Sequence, residues 1–336
     1  MEFRSNVPLA HYTTFRIGGP AKLYAEVSDA SELSLGYERA AKDHLPVYVF
    51  SGGSNILFSD EGFPGLILRL TDGGFRILDA GLVSVGAGRK LNELVTECCK
   101  SGLSGLERLA GIPGSVGGAI RGNAGAFGAD TGSVVASVKA LDTRTGMVRE
   151  YQREECVFGY RESLFKRHPE LVVLSAEFRL GTGADPKALL WKAESVRRER
   201  EEKHSQDAFS AGSFFMNPVV LDERLREEFR RDSGKEPKDE RLPAGWIIDQ
   251  VGLRGRIIGH AKVSEQHPNY IVNTGGATAA EVLTLVSIVK QKVRDELDIQ
   301  LQAEVQLVGF GHESAKHRRK PIENQPADES WPPLGT

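Results

Sequence analysis

Apolar positions along the chain recur with two periods, and the alternation between them outlines the elements. KLYAEV (22–27), PVYVF (46–50), GLILRL (65–70), FRILDA (75–80) and LVSVGAG (82–88) are short apolar or alternating runs that predict strands. Between the first two, Leu33, Tyr37, Ala40 and Ala41 mark one face of a helix. Asp29 opens that helix with Glu32 three positions on, the spacing of a capping box. Leu91, Leu94, Val95 and Cys98 predict a second helix, which Gly102 ends. VVASVKALD (134–142), MVREY (147–151) and LVVLSAEFRL (171–180) predict further strands.

The pattern changes at Asp185-Pro186, an N-cap followed by proline at the first helical position. Leu189, Ala193 and Val196 give that helix an inner face, and it runs into the charge-dense segment 197–204, read as a solvated face. Residues 222–242 are strongly charged and predict an exposed helix and loop. The segment 244–264 alternates short helix and strand, and NYIVNTGGAT (269–278) reads as strand then turn. Thr278 with Glu281 opens a long helix along Val282, Val286, Val289 and Val293. IQLQAEVQLVG (299–309) alternates strictly, which predicts a strand with Ile299, Leu301, Ala303, Val305 and Leu307 inward and Glu304 on the polar, solvated face. A strand-rich half followed by a mixed half predicts an α+β chain. The expected boundary near Gly181–Lys187 gives a region 1–184 and a domain 185–310. The polar, aperiodic tail 311–336 is expected to be disordered.

Composition narrows the function class. The 336 residues are 40% hydrophobic and 26% charged, as in soluble globular proteins. A net charge of −3 offers no global attraction for nucleic acid or an anionic membrane. No apolar run reaches the length of a membrane span, and the first residues lack the apolar core of a secretory signal. The three cysteines, Cys98, Cys99 and Cys156, have no metal-binding spacing, so reduced thiols in a cytoplasm and no metal site are expected.

The candidate chemistry gathers in Leu106–Gly128, which holds Gly111, Gly114, Gly117, Gly118, Gly122, Gly125 and Gly128. Ordering so much glycine is entropically costly, so a bare surface loop explains it poorly. A backbone wrapped round a phosphate-bearing cofactor explains it better. The spacing matches neither the dinucleotide fingerprint nor the phosphate-binding loop, which excludes a standard Rossmann crevice. SGGSN (51–55) leaves a strand with free N–H groups and small hydroxyls suited to a pyrophosphate, but a plain hairpin turn is the favoured reading of that segment alone. Thr13, Thr14 and Arg16 beside Gly18-Gly19 have two readings, an anion contact or a turn before a strand. Arg161, next to Tyr160 in a turn, is either a surface charge or a bidentate anion clamp. Ser213, in AGSFF, has neither a nucleophile elbow nor a nearby triad, and by itself reads as structural.

In order along the chain, HYTTFRIGGPA, SGGSNIL, GLERLAGIPGSVGGAIRGNAGAFG, FGYRESLF, SAGSFFMNP, AGWIIDQVGLRG and LQAEVQLVG resemble the UDP-N-acetylenolpyruvoylglucosamine reductases (MurB), over about residues 6–309. The resemblance implies an FAD-binding region of the vanillyl-alcohol oxidase (PCMH) type and a C-terminal α/β substrate-binding domain, whose final strand returns Glu304 to the flavin. It implies non-covalent FAD, NADPH as co-substrate, and reduction of an enolpyruvyl UDP-sugar to UDP-N-acetylmuramate in peptidoglycan precursor synthesis. By motif, the FAD contacts fall on Ser51, Gly52, Gly53, Ser54 and Asn55, on Gly111 to Ser115 with Ile112, Pro113 and Gly114, on Gly117, Gly118 and Ala119, and on Asn123, Gly125 and Ala126. Arg161 falls on the arginine that engages the substrate carboxylate, Ser213 on the proton-donating serine and Glu304 on the acid that stabilises the enol. Tyr160, Lys203 and Asn217 fall on substrate-contacting positions, while Met216 stands where lysine is common. The short interval from Arg161 to Ser213 implies the compact subtype without a tyrosine-bearing loop. A cytoplasmic monomer is expected. Two other readings remain: a different oxidoreductase on the same flavin fold, and a non-catalytic UDP-sugar-binding protein.

Overall fold

The computed structural model describes residues 1–79, 81–203 and 209–311, so the tail from His312 and the side chain of Lys203 lie outside the described residues. Three sheets organise the chain, each faced by helices. The first has the order Arg4–Pro8, Pro20–Val27, Phe63–Leu70, Val47–Phe50. Only its first pair is antiparallel. The helix Ala30–Lys42 lies on it, burying Leu33, Gly36 and Ala40, while Ala41 is exposed. Asp29 accepts from the Glu32 N–H at 2.9 Å, as the spacing predicts. Glu32 reaches back one residue further than a standard capping box, to the Ser28 N–H at 2.8 Å.

The second sheet, Met147–Gln152, Val135–Asp142, Leu171–Arg179, Leu82–Gly86 and Phe75–Asp79 in spatial order, is wholly antiparallel. Its core takes in Leu91, Leu94, Val95 and Cys98 of the helix Leu91–Lys100. The helix Pro186–Lys203 starts after the expected boundary at residue 184, yet its Leu189 and Ala193 pack into this same core. Apolar burial at the base of that helix ties it to the first half.

The third sheet, Phe209–Ser213, Tyr270–Asn273, Ala261–Val263 and Ile257–Ile258, packs against the helix Ala279–Leu297. Val282, Val286, Val289 and Val293 are buried along that helix, each contributing roughly 1.5 kcal/mol or more. The helix Glu223–Ser233 in the charged segment is amphipathic rather than wholly exposed, because it buries Leu225 and Phe229. Phe15, Ile17 and Leu57, from the start of the chain, complete this last core.

Two expectations change. SGGSN does not join a hairpin: Val47–Phe50 pairs with Phe63–Leu70, and Ile56–Phe58 pairs in parallel with Gln306–Val308 from the far end of the chain. The alternating segment 299–309 is a strand only over Gln306–Val308. Ile299, Leu301 and Val305 are buried as expected, but Leu307 is 37% exposed and Val308 is buried in its place. The inward alternation therefore breaks where the segment joins Ile56–Phe58. The mixed α+β reading stands.

Polar contacts fasten the halves together. The Asp60 carboxylate accepts from the Ala279 and Ala280 N–H groups at 2.8 and 3.0 Å, capping the long helix from another part of the chain. Thr14 Oγ1 donates to the Ser210 oxygen at 2.6 Å, and Asn273 Nδ2 to the Phe15 oxygen at 3.1 Å. Asp60→Ala leaves two N-terminal N–H groups of that helix without their acceptor, a loss of about 1 kcal/mol. The expected result is a melting temperature lowered by a few degrees, measured by calorimetry; an unchanged melting temperature would show that the cap contributes nothing.

Candidate active site

The three candidate catalytic side chains come from distant segments, and each is aimed by its own surroundings. Arg161 lies in the tight turn Gly159–Glu162, where the two end residues exchange backbone hydrogen bonds. Its φ of 54° is in the left-handed region, uncommon for a residue with a Cβ and a marker of strain held by neighbours. Asn123 does much of the holding. Its Nδ2 donates to the Gly159 oxygen and its Oδ1 accepts from the Gly132 N–H, both at 2.8 Å. The guanidinium then donates to the Gly125 and Asn123 oxygens at 2.8 and 3.5 Å. Its Nε meets Glu304 Oε1 at 3.2 Å. Arg161 is thus a fixed cation rather than a loose surface charge.

Glu304 is not on a solvated face. Its side chain is only 19% exposed. Its N–H donates to the Phe214 oxygen at 2.8 Å, and Asn55 Nδ2 donates to its carbonyl at 3.3 Å. Burial pushes its carboxyl above the ordinary carboxylate range; Arg161 and Lys166 pull the other way without cancelling the effect.

Ser213 ends the strand Phe209–Ser213 and stands opposite Tyr270 in the register. A bulge just before it contains Gly212, whose φ of 75° favours glycine. Ser213 and Tyr270 line the same cavity. Asn269 pins the next two residues: its carbonyl accepts from the Phe214 N–H at 2.7 Å, and its side chain bonds both backbone groups of Phe215 at 2.9 and 2.8 Å. The serine therefore projects from a rigid, buried Phe-Phe anchor.

Arg161 and Ser213 face one cavity of about 570 Å³, with Gly125 and Ala126 in the same wall. The other expected cofactor residues are not among those lining the cavity. Ser54 Oγ donates to the Pro113 oxygen at 3.2 Å, joining the loop Ser51–Asn55 to Gly111–Ser115. A Cβ on Gly52 would stand 2.8 Å from Gly114 Cα, and one on Gly53, at φ 62°, would stand 2.1 Å from the Tyr12 oxygen. Two backbones meet there with no side chain between them. Ser115 caps the short helix Val116–Arg121 by accepting from the Gly118 N–H at 3.4 Å. Gly117 and Ala119 face inward, Gly117 against Ala87, while Ile112 is partly buried and Pro113 and Gly118 are exposed. Narrow glycine loops with small hydroxyls, next to a cavity holding a fixed guanidinium, fit a bulky anionic cofactor such as FAD.

Tyr160 and Asn217 meet outside that cavity wall. The Asn217 N–H donates to the Tyr160 hydroxyl at 3.3 Å, and Asn217 Oδ1 accepts from the Ala244 N–H at 3.0 Å. The Arg241 guanidinium lies 4.5 Å from the Tyr160 ring centroid. Met216 contributes its N–H to the Gln302 oxygen at 2.9 Å.

Among the cavity residues that escape a reading of the sequence, three are partly buried groups with ionisable side chains. Arg200, inside the run read as solvated, turns inward against Gly111, where a Cβ would stand 2.9 Å from its Cδ. Burial lowers its guanidinium's hold on the proton. His267 packs edge-on to Tyr270 with ring centroids 5.0 Å apart, and burial likewise lowers its affinity for the proton. Tyr270 is the third, in a segment read only as strand and turn. Period-two patterning gave the strand, but nothing in it says which residue stands opposite Ser213.

Known proteins carry the same arrangement of segments. Residues 21–152 match the family described as an FAD binding domain, and residues 203–308 match the C-terminal domain of UDP-N-acetylenolpyruvoylglucosamine reductase. The chain is 36% identical over 309 residues to the UDP-N-acetylenolpyruvoylglucosamine reductase of Solibacter usitatus, covering 91% of this chain and 96% of the relative. It is 38% identical over 305 residues to that of Carboxydothermus hydrogenoformans, covering 90% and 93%. The crystal structure of the Thermus caldophilus reductase (MurB) superposes with a TM-score of 0.70 at 34% identity, over 91% of this chain and 98% of that one. With near full-length coverage on both sides and an FAD-binding domain of the PCMH type preceding the reductase-specific one, the chain belongs to the UDP-N-acetylenolpyruvoylglucosamine reductase (MurB) family.

Proposed function

We propose that this chain reduces UDP-N-acetylglucosamine enolpyruvate to UDP-N-acetylmuramate, with bound FAD as the redox group and NADPH as the reductant. The observation that carries the proposal is the convergence of Arg161, Glu304 and Ser213 from three separate segments, with Arg161 and Glu304 paired at 3.2 Å and Arg161 and Ser213 facing one cavity. FAD, when bound, supplies the hydride that adds to the methylene carbon of the enolpyruvyl ether. Everything else is the work of the chain.

Ser51–Asn55, Gly111–Ser115, Gly117–Ala119 and Asn123, Gly125 and Ala126 are the proposed cofactor contacts. Arg161 is the proposed anchor for the substrate carboxylate, where its planar fork stabilises charge that builds on that group during hydride addition. Glu304, with its carboxyl raised by burial, is the proposed acid beside the developing enol. Ser213 is the proposed proton donor to the adjacent carbon. A serine hydroxyl suffices there because its partner is a strongly basic carbanion-like centre, so no triad is needed. Tyr160, Lys203 and Asn217 are proposed substrate contacts. The division into 1–184 for cofactor and 185–310 for substrate, the cytoplasmic setting and the monomeric state belong to the same proposal.

Purified protein is expected to be yellow, to be bleached by one equivalent of NADPH, and to turn over further NADPH only when the enolpyruvyl UDP-sugar is supplied. Visible spectra recorded with and without each substrate test this; a protein that cannot be reconstituted with FAD sinks the reading. In Ser213→Ala, NADPH should bleach the flavin at the wild-type rate, while reoxidation by substrate falls by roughly 10²–10⁴-fold. Stopped-flow absorbance separates the two steps, and unaltered reoxidation removes Ser213 from its role. A third expectation concerns pH. Because the folded state holds the Glu304 proton more tightly than the unfolded state, wild-type stability declines as pH rises above the ordinary value of 4.5 and through the raised folded value. Glu304→Gln has no such ionisation, so the melting-temperature difference should shift in the variant's favour across that window. A difference independent of pH would contradict the raised carboxyl.

A further inference from the structure

Ser213 has a difficulty that its own neighbours do not solve. Once its proton has passed to carbon, the serine oxygen is an alkoxide, a far stronger base than a phenolate. It would be covered by substrate and cofactor at that moment, with bulk water excluded. A donor within the same cavity is required, and one side chain is placed for it. Tyr270 stands opposite Ser213 in the strand register, and both residues line the same cavity.

We propose that Tyr270 supplies the proton that restores Ser213 in each turnover, and that Arg200 stabilises the phenolate formed meanwhile. The inference rests on the reductase reading given above. The steps balance without a further reactant. The Ser213 O–H bond breaks as the new C–H bond forms. In the same step the Tyr270 O–H bond breaks as the Ser213 O–H bond re-forms, so flavin reoxidation includes both transfers. The phenolate finally takes a proton from cavity water, so the net proton comes from solvent.

The surroundings fit each step. Burial raises the Tyr270 phenol above its usual value of about 10, so it is protonated and ready to donate at neutral pH. The same phenol feels the Arg200 and Arg161 cations, which favour its anion, while Glu304 opposes them. Arg200 is turned into the cavity, its Cζ 5.6 Å from the Phe127 ring centroid, where a partly desolvated cation acts more strongly than it would in water. His267, edge-on at 5.0 Å, fixes the tyrosine ring without being a charged competitor, since burial disfavours its cationic form. The exposed Glu202 and Gln266 edge the same cavity, giving water a route back to the phenolate.

The test is Tyr270→Phe in the FAD-loaded enzyme, which removes one oxygen and keeps the ring. Bleaching by NADPH should stay within about twofold of wild type. Reoxidation by UDP-N-acetylglucosamine enolpyruvate should slow by at least about tenfold, with a larger solvent deuterium isotope effect, a change that altered packing alone would not produce. Reoxidation at the wild-type rate with an unchanged isotope effect overturns the proposal. Ser213→Ala run in parallel separates the two readings: if it slows reoxidation and Tyr270→Phe does not, only the role of Tyr270 fails; if neither does, the reductase mechanism itself fails. A readout independent of turnover is the Cζ resonance of Tyr270 in the oxidised, tyrosine-labelled holoenzyme, which should move in Ser213→Ala; a stationary resonance overturns the coupling. Should Tyr270→Phe lose its FAD, the isosteric but more acidic Tyr270→difluorotyrosine replaces it. A changed reoxidation rate with unaltered bleaching then supports the proposal, and an unchanged rate overturns it.

Discussion

The parallel pairing of Gln306–Val308 with Ile56–Phe58 is the constraint on which the site depends. It joins two segments separated by most of the chain, directly beside the loop Ser51–Asn55. The Gln306 N–H donates to the Asn55 oxygen at 3.1 Å, and the Asn55 side chain returns a bond to the Glu304 carbonyl. With those bonds made, Glu304 has little choice of position, and its carboxylate lands beside Arg161. Glycine makes the approach possible. A Cβ on Gly309, at φ 86°, would stand 2.0 Å from the Gly62 oxygen, and one on Gly62, at φ 82°, would stand 1.9 Å from the Pro20 oxygen.

Electrostatics explains why this closure has to be rigid. Taking a carboxylate out of water is costly unless a partner is held at a fixed place. Glu304 meets that requirement only in part, since burial outweighs Arg161 and Lys166 and leaves the carboxyl raised. Arg161 in turn is tied to the Asn123 and Gly125 carbonyls and held in a left-handed turn. Such a pair is a modest source of stability. What it provides is a guanidinium and an acid kept at a fixed distance.

Much of the architecture was legible in the pattern alone. The strands over Val135–Asp142 and Leu171–Arg179 and the helix Ala279–Leu297 follow their periodicities, since each has one face that must leave water. The failures have a common cause. SGGSN reads as a hairpin turn because its near neighbours are strands, yet the strand after it pairs with a segment some 250 residues away. Glu304 sits on the polar side of an alternating run and is nevertheless only 19% exposed, because another part of the chain covers that side. Arg200 reads as one more charge in a charged helix until the cavity is seen beneath it.

The sequence by itself determined the elements, the cores they bury and, through an ordered set of motifs, the family and its chemistry. Those properties depend on local periodicity and on residue types at short spacing, which a linear chain records directly. Only the tertiary structure decided which residues meet: Glu304 against Arg161, Tyr270 opposite Ser213, Arg200 turned into the cavity. Such pairings follow from strand register and from the packing of distant segments. A shift of one residue would exchange the faces of a strand without changing its composition, so these pairs are set by three-dimensional closure.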